Sequence, residues 1–175
     1  MADISLDALR FPVGPFAAVK GADAATRATW IDDIAATPDI IAALISGMTP
    51  AQMQTPYRDG GWTAAQVVHH MADSHINAYI RTRFALAEDH FTVKPYDENR
   101  WAQFPDAMAS DATPSVQILR GLHARWASLL RTLTPADFAR QLHHPERGPM
   151  TIDSLVQLYA WHGRHHAGHL RIVKG

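Results

Sequence analysis

The sequence contains no cysteine. Disulfides, thiolate metal sites, iron–sulfur clusters and a cysteine nucleophile are therefore excluded. It has only three glutamates, Glu88, Glu98 and Glu146, none with a histidine three residues on. The Glu-x-x-His pairs of a di-iron carboxylate bundle cannot form. An excess of one charge is missing too: 16 basic against 17 acidic residues leave a net charge of −1. A nucleic-acid binder or a polybasic membrane-surface protein needs a basic excess, so neither partner is expected. No apolar run approaches the length of a membrane helix. The first residues, with Asp3 and Asp7, lack the apolar stretch of a secretory signal, which makes the cytoplasm the expected compartment. HExxH, GxSxG, Walker and GxGxxG patterns are also absent.

What is present is an ordinary globular composition, 47% hydrophobic and 19% charged, over 175 residues. That is one domain's worth of chain, able to bury a sizeable core unaided. Pro12, Gly14 and Pro15 mark residues 1–20 as an extended arm, with a single domain over 21–175. Apolar residues recur at helical spacing from Asp23 to Met48, where Pro38 should break or kink the helix and Thr37 could cap its second half. Thr63 with Gln66 forms a capping box opening a helix to about Glu88. Thr113-Pro114 reads as a cap and first-turn proline for a helix through Leu133, and Thr134-Pro135 repeats the device for a brief one. A short turn is expected near Glu98–Phe104, the stretch QLHHPERGPMTI reads as a small hairpin or an irregular loop, the loop being favoured, and a last helix covers about Asp153–Val173. Four long helices without a convincing strand pair give an all-α fold, a four-helix bundle with long crossover loops.

Histidine is the abnormal entity: eleven in the chain, four of them between positions 162 and 169. On a helical wheel His162 and His166 fall within about 20° of the centre of the apolar face marked by Leu155, Tyr159 and Leu170. Gln157, Arg164 and Arg171 mark the opposite, solvent side. Histidines four residues apart are neighbours on one face and can converge on one ion. His165 and His169 form a competing pair nearer the edge. The helix from Thr63 offers His69, His70 and His75. His70 lies on a polar stripe with Gln66, Asp73, Ser74, Asn77 and Arg81, which reads as a cleft wall and makes His70 the third ligand, whereas His69 and His75 sit among apolar residues. His143 and His144 read as surface histidines.

The stretches FPVGPF, YRDGGWTAAQVVHHMADSHINAYIR, PYDENRW, GLHARWASLLRTLT and YAWHGRHHAGHL together resemble the YfiT-like branch of the DinB superfamily. The resemblance covers nearly the whole chain. It implies a four-helix bundle holding one divalent ion, zinc or nickel, by three histidines. The first family ligand falls eight residues after the tryptophan of GGWT, on His70, and the late H-x3-H falls on His162 and His166. One departure is His166-Ala167-Gly168-His169, where many members read HRGQ. The family includes metal-dependent hydrolases and bacillithiol transferases, and the resemblance further implies a homodimer.

Such a site could activate water, as a hydrolase, or a low-molecular-weight thiol, as an S-transferase acting on a small molecule. Arg81, further along the stripe, could attract an acidic thiol. Tyr96 and Asp97 of PYDENRW are pocket candidates, Asp97 as a general base. The alternative is a non-enzymatic metal-binding or sensing bundle.

Overall fold

A computed structural model describes residues 5–175; residues 1–4 of the expected arm lie outside the described residues. A single turn, α1 (Leu6–Arg10), is followed by α2 (Ala24–Ile45), α3 (Pro50–Met53), α4 (Ala64–Ala87), β1 (Phe91–Thr92) and α5 (Glu98–Trp101). Then come α6 (Thr113–Leu130), α7 (Pro135–Phe138), β2 (Gln141–His144), β3 (Gly148–Thr151) and α8 (Ile152–Lys174).

The four long helices form the expected bundle. Helix α8 packs on α2 and α4, and α6 packs on the same two. Neighbours around the bundle thus run α2, α8, α4, α6, with α2 and α4 on a diagonal, and the connection between them must cross the end of the bundle. Apolar faces meet in two clusters, one around Ile34, Trp126, Leu155 and Tyr159, the other around Ile41, Met71, Leu119 and Leu170. Helix starts follow local chemistry. Thr63 accepts from the Gln66 amide while the Gln66 side chain accepts from the Thr63 amide. Thr134 with Asp137, and Thr151 with Ser154, repeat the arrangement.

Five expectations need correction or refinement. Helix α2 runs unbroken through Pro38. The proline removes one helical donor, and burial of Ile31, Ile34 and Ile41 in the core keeps both halves in line. Thr37 caps nothing; its hydroxyl donates to the Asp33 carbonyl inside the helix. The first helical residue of α6 is Thr113 itself, with Ala112 as cap residue and no side-chain cap. The expected loop QLHHPERGPMTI is instead an antiparallel hairpin of β2 and β3, to which β1 adds in parallel. Leu142 and His144 alternate inward, and Gly148, at φ +78°, supplies the left-handed residue beside the turn. Four-residue strands are too short for their alternation to register in the sequence.

Gln157 is buried rather than solvent-facing. Its side chain accepts from the Val19 amide and donates to the Val19 carbonyl, both at 2.8 Å. Together with Trp161 Nε1, which donates to the Gly14 carbonyl at 3.1 Å, it pins the N-terminal segment along α8. That segment is helical over Leu6–Arg10 and non-helical beyond. No helix among the described residues is long and apolar enough to cross a membrane.

Candidate metal centre

His70 on α4 and His162 and His166 on α8 come together through packing of those two helices. His162 Nε2 lies 3.3 Å from His70 Nε2 and 3.1 Å from His166 Nε2. Nitrogens held about 2.0–2.1 Å from one ion at tetrahedral angles lie about 3.3–3.4 Å apart. The separations from His162 to the other two are close to the donor spacing of a tetrahedral centre, and all three nitrogens lie within 4.8 Å of one another. Three imidazoles make up this donor set, with no carboxylate or thiolate.

Burial and mutual repulsion hold these histidines neutral, as metal ligands must be. His70 is pushed down to about 4, chiefly by burial and then by charge on His165. His162 and His166 lie well below the ordinary histidine value, again chiefly by burial and then by the neighbouring imidazoles. Trp62, just upstream of the capping box, packs its ring 4.6 Å from that of His70. The sequence signal Trp-Thr followed by His70 thus corresponds to a real contact.

The competing pair has other partners. The His165 ring stacks on Trp161 at 4.4 Å and the His169 ring on Tyr57 at 3.9 Å. His169 Nε2 donates to the Arg10 carbonyl. His165, His166 and His169 do form a second compact triad, but it shares His166 with the first.

The first triad opens on a cavity of about 540 Å³. Phe11 and Phe16 from the N-terminal segment, Trp62 and Trp161 provide aromatic wall, while Arg81, Arg147, Glu98 and Glu146 provide charge. The polar stripe of α4 is partly a cavity wall: His70, Ser74 and Arg81 line it, whereas Asp73 and Asn77 do not. Asn77 instead donates to the Asp73 carbonyl. Burial, and then the nearby Asp106, raise Asp73 above the usual carboxylate value. Tyr96 lines the cavity, as does Tyr159, whose hydroxyl lies 3.1 Å from Ser74 Oγ. Burial raises both phenols above their ordinary value.

Asp97 is placed differently from a general base. It is exposed, lies off the cavity, and its carboxylate caps α5 by accepting from the Arg100 amide at 2.9 Å. His144, read as a surface residue, is buried and lines the cavity. Burial, then the charges of Arg81 and Arg147, push it below its ordinary value. His143 is exposed, as expected.

The sequence reading passed over His123 and left His75 among apolar residues without a partner. His75 and His123 are fully buried and bonded to each other. The signal was there for His123: Leu119, His123, Trp126 and Leu130 share one core stripe of α6.

The sequence profile of the DinB superfamily matches residues 33–170. A Geobacillus thermodenitrificans protein named "Putative metal-dependent hydrolase" is 44% identical over 172 residues, covering 97% of this chain and 96% of its own. The Bacillus subtilis protein "Putative metal-dependent hydrolase YfiT" is 39% identical, over 93% and 92% of the two chains. The solved structure of YfiT from Bacillus subtilis, described as a probable metal-dependent hydrolase with an unusual four-helix bundle topology, superposes with a TM-score of 0.92 at 38% identity, covering 95% of each chain.

Proposed function

The chain belongs to the DinB superfamily, and from that premise we propose that it is a metal-dependent enzyme acting on a small molecule, with one divalent ion held by His70, His162 and His166. The observation that carries this reading is the meeting of three imidazole Nε2 atoms, at 3.1 and 3.3 Å, on the wall of a cavity. Imidazole donors suit zinc or nickel. When bound, such an ion supplies Lewis acidity undiminished by ligand charge, and three protein donors leave a coordination position for a nucleophile.

The chain's own residues shape what can react. Trp62, Trp161, Phe11 and Phe16 give an apolar enclosure that excludes water from a bound substrate. Tyr96 and Tyr159, with raised phenol values, stay protonated near neutral pH and serve as hydrogen-bond donors rather than bases. Arg81 and Arg147 line the cavity with His144 and, with Glu146, act on that ring; the two guanidinium groups form a cationic corner where an anionic part of a substrate would be held.

Water is the first choice of nucleophile, in keeping with the names of the relatives. Thiol transfer is the second reading, favoured by that cationic corner: an acidic low-molecular-weight thiol would enter as cosubstrate, since the chain has no cysteine of its own. The test is one enzyme preparation, loaded in turn with zinc and nickel. It is assayed on ester and amide substrates without thiol, and on a chromogenic electrophile with a panel of thiols. Thiol-independent hydrolysis supports the first reading and thiol-dependent conjugation the second. Stoichiometric metal with silence in both panels would leave a binding or sensing protein.

A further inference from the structure

Behind the three converging nitrogens, the other ring nitrogens of His162 and His166 enter two chains of hydrogen bonds. His162 Nδ1 lies 3.0 Å from His75 Nε2, and His75 Nδ1 lies 2.8 Å from His123 Nε2. His123 Nδ1 then bonds the Ile34 carbonyl of α2. The second chain is shorter: His166 Nδ1 lies 3.2 Å from His169 Nδ1, and His169 Nε2 lies 3.3 Å from the Arg10 carbonyl.

A carbonyl oxygen can only accept. The proton at the end of the first chain must therefore sit on His123 Nδ1. A neutral imidazole carries one proton, so His123 Nε2 is an acceptor and takes the proton of His75 Nδ1. His75 Nε2 is in turn an acceptor and takes the proton of His162 Nδ1. His162 Nε2 is left bare. The second chain gives the same result: His169 donates from Nε2, accepts at Nδ1 from His166 Nδ1, and leaves His166 Nε2 bare. Burial favours the neutral form of all three rings: His75 and His123 are fully buried and His169 nearly so.

We infer that His75, His123 and His169 are positioning residues, forming two carbonyl-terminated histidine relays that hold His162 and His166 in the Nδ1–H tautomer and aim both Nε2 lone pairs at one ion. Two unprotonated nitrogens 3.1 Å apart cannot bond each other, so a cation between them is what their approach accommodates. The relays also add no negative charge behind the ligands, unlike a carboxylate partner. Pro38 contributes to the longer one. A residue with an N–H at position 38 would bond the Ile34 carbonyl along the helix; proline has none, and His123 takes the acceptor.

The inference rests on reading His162 and His166 as ligands, and its test separates the two ideas. Histidine-15N-labelled full-length protein, metal-free after chelation and again zinc-loaded, is examined by NMR for the protonation pattern of each ring. Nδ1–H on His75, His123, His162 and His166 with Nε2–H on His169 is expected in the metal-free state. Nε2–H on His162 or His166 there would overturn the relays. Zinc affinity is then measured by chelator competition. His123→Leu removes both the donor to Ile34 and the acceptor for His75, and should weaken zinc binding by about 10- to 100-fold. His123→Gln can donate from its amide nitrogen and accept at its oxygen, keeping the polarity, and should restore affinity to within a few-fold of wild type. Equal affinities for Leu, Gln and wild type would refute the positioning role, as would equal losses. Should His123→Leu lose its helical circular dichroism, the wild-type protonation pattern and the Gln variant still decide. The expected tautomers in a protein that takes up no zinc would sink the metal reading and leave the relays standing.

Discussion

His123 donates to the one carbonyl, that of Ile34, which Pro38 deprives of its helical partner. A residue that reads as a helix breaker thus leaves an acceptor in the core, and a histidine from the neighbouring helix satisfies it. Both residues are fully buried, where an unpaired carbonyl or imidazole would cost about 1–3 kcal/mol. The same pair ends the longer chain of imidazoles behind the candidate metal centre.

Removing one ligand should remove the ion. His162→Ala is expected to lower zinc affinity by more than about 100-fold, beyond the range of changes outside the ligand set. His165→Ala, whose ring stacks on Trp161, should keep its metal. Metal content of the purified variants, measured by elemental mass spectrometry, decides. Loss of metal from His165→Ala with retention in His162→Ala would move the centre to the second triad.

Chelation should leave the helices intact. Two apolar clusters join all four long helices independently of the centre, unlike a zinc finger whose folding energy is metal binding. Far-ultraviolet circular dichroism before and after chelation tests this, and collapse of the helical signal at room temperature would contradict it.

Acid should destabilise the metal-free protein. Folding holds His75 and His123 neutral, whereas in the unfolded chain they take up protons below their ordinary value of 6.5. The unfolded state therefore binds more protons, and stability falls as pH drops from about 6.5 toward about 4. Each such group lowers stability by up to about 1.4 kcal/mol per pH unit in that window. Urea midpoints taken at steps from about pH 7 to about pH 4.5 should decline throughout. Flat midpoints would show that these imidazoles are charged in the fold.

Gly163, next to His162, lets α8 approach α2 closely: a Cβ there would lie 2.5 Å from Thr37 Oγ1. Gly163→Ala should cost about 1–3 kcal/mol by overpacking. Thr37→Ala removes the obstructing atoms, so the double variant should be more stable than the two single losses predict. Thermal denaturation of the four proteins measures the coupling, and strict additivity would refute the contact.

Arg81 and Asp97 should separate in kinetics. Arg81→Met is expected to raise KM for anionic substrates several-fold while neutral ones change little, because it removes one of two charges at the cavity corner. Asp97→Asn should leave kcat and KM near wild type, since that side chain caps α5 away from the cavity. A large fall in kcat for Asp97→Asn would restore it as a base.

Helix positions, the Thr63 and Thr134 caps and the inward direction of His162 and His166 follow from local pattern. A 3.6-residue repeat and a Thr-x-x-Gln box act within one or two turns, and His166 follows His162 by four residues whatever the rest of the chain does. The role of His70 needed a further step, since only the packing of α4 on α8 brings its ring to theirs. Other features depend on atoms distant in sequence. Pro38 does not break α2 because core burial outweighs one lost hydrogen bond. Gln157 is drawn inward by the Val19 backbone, 138 residues away. Asp97 is the local exception: its carboxylate caps α5 through the Arg100 amide, only three residues on. Nothing in the order of residues links His75 to His123, 48 positions apart, or His123 to Ile34, 89 apart. The sequence by itself determined the four long helices and the donors that each carries. Tertiary packing decided which of those donors meet, because a hydrogen bond or a shared ion depends on positions within a few ångströms in space.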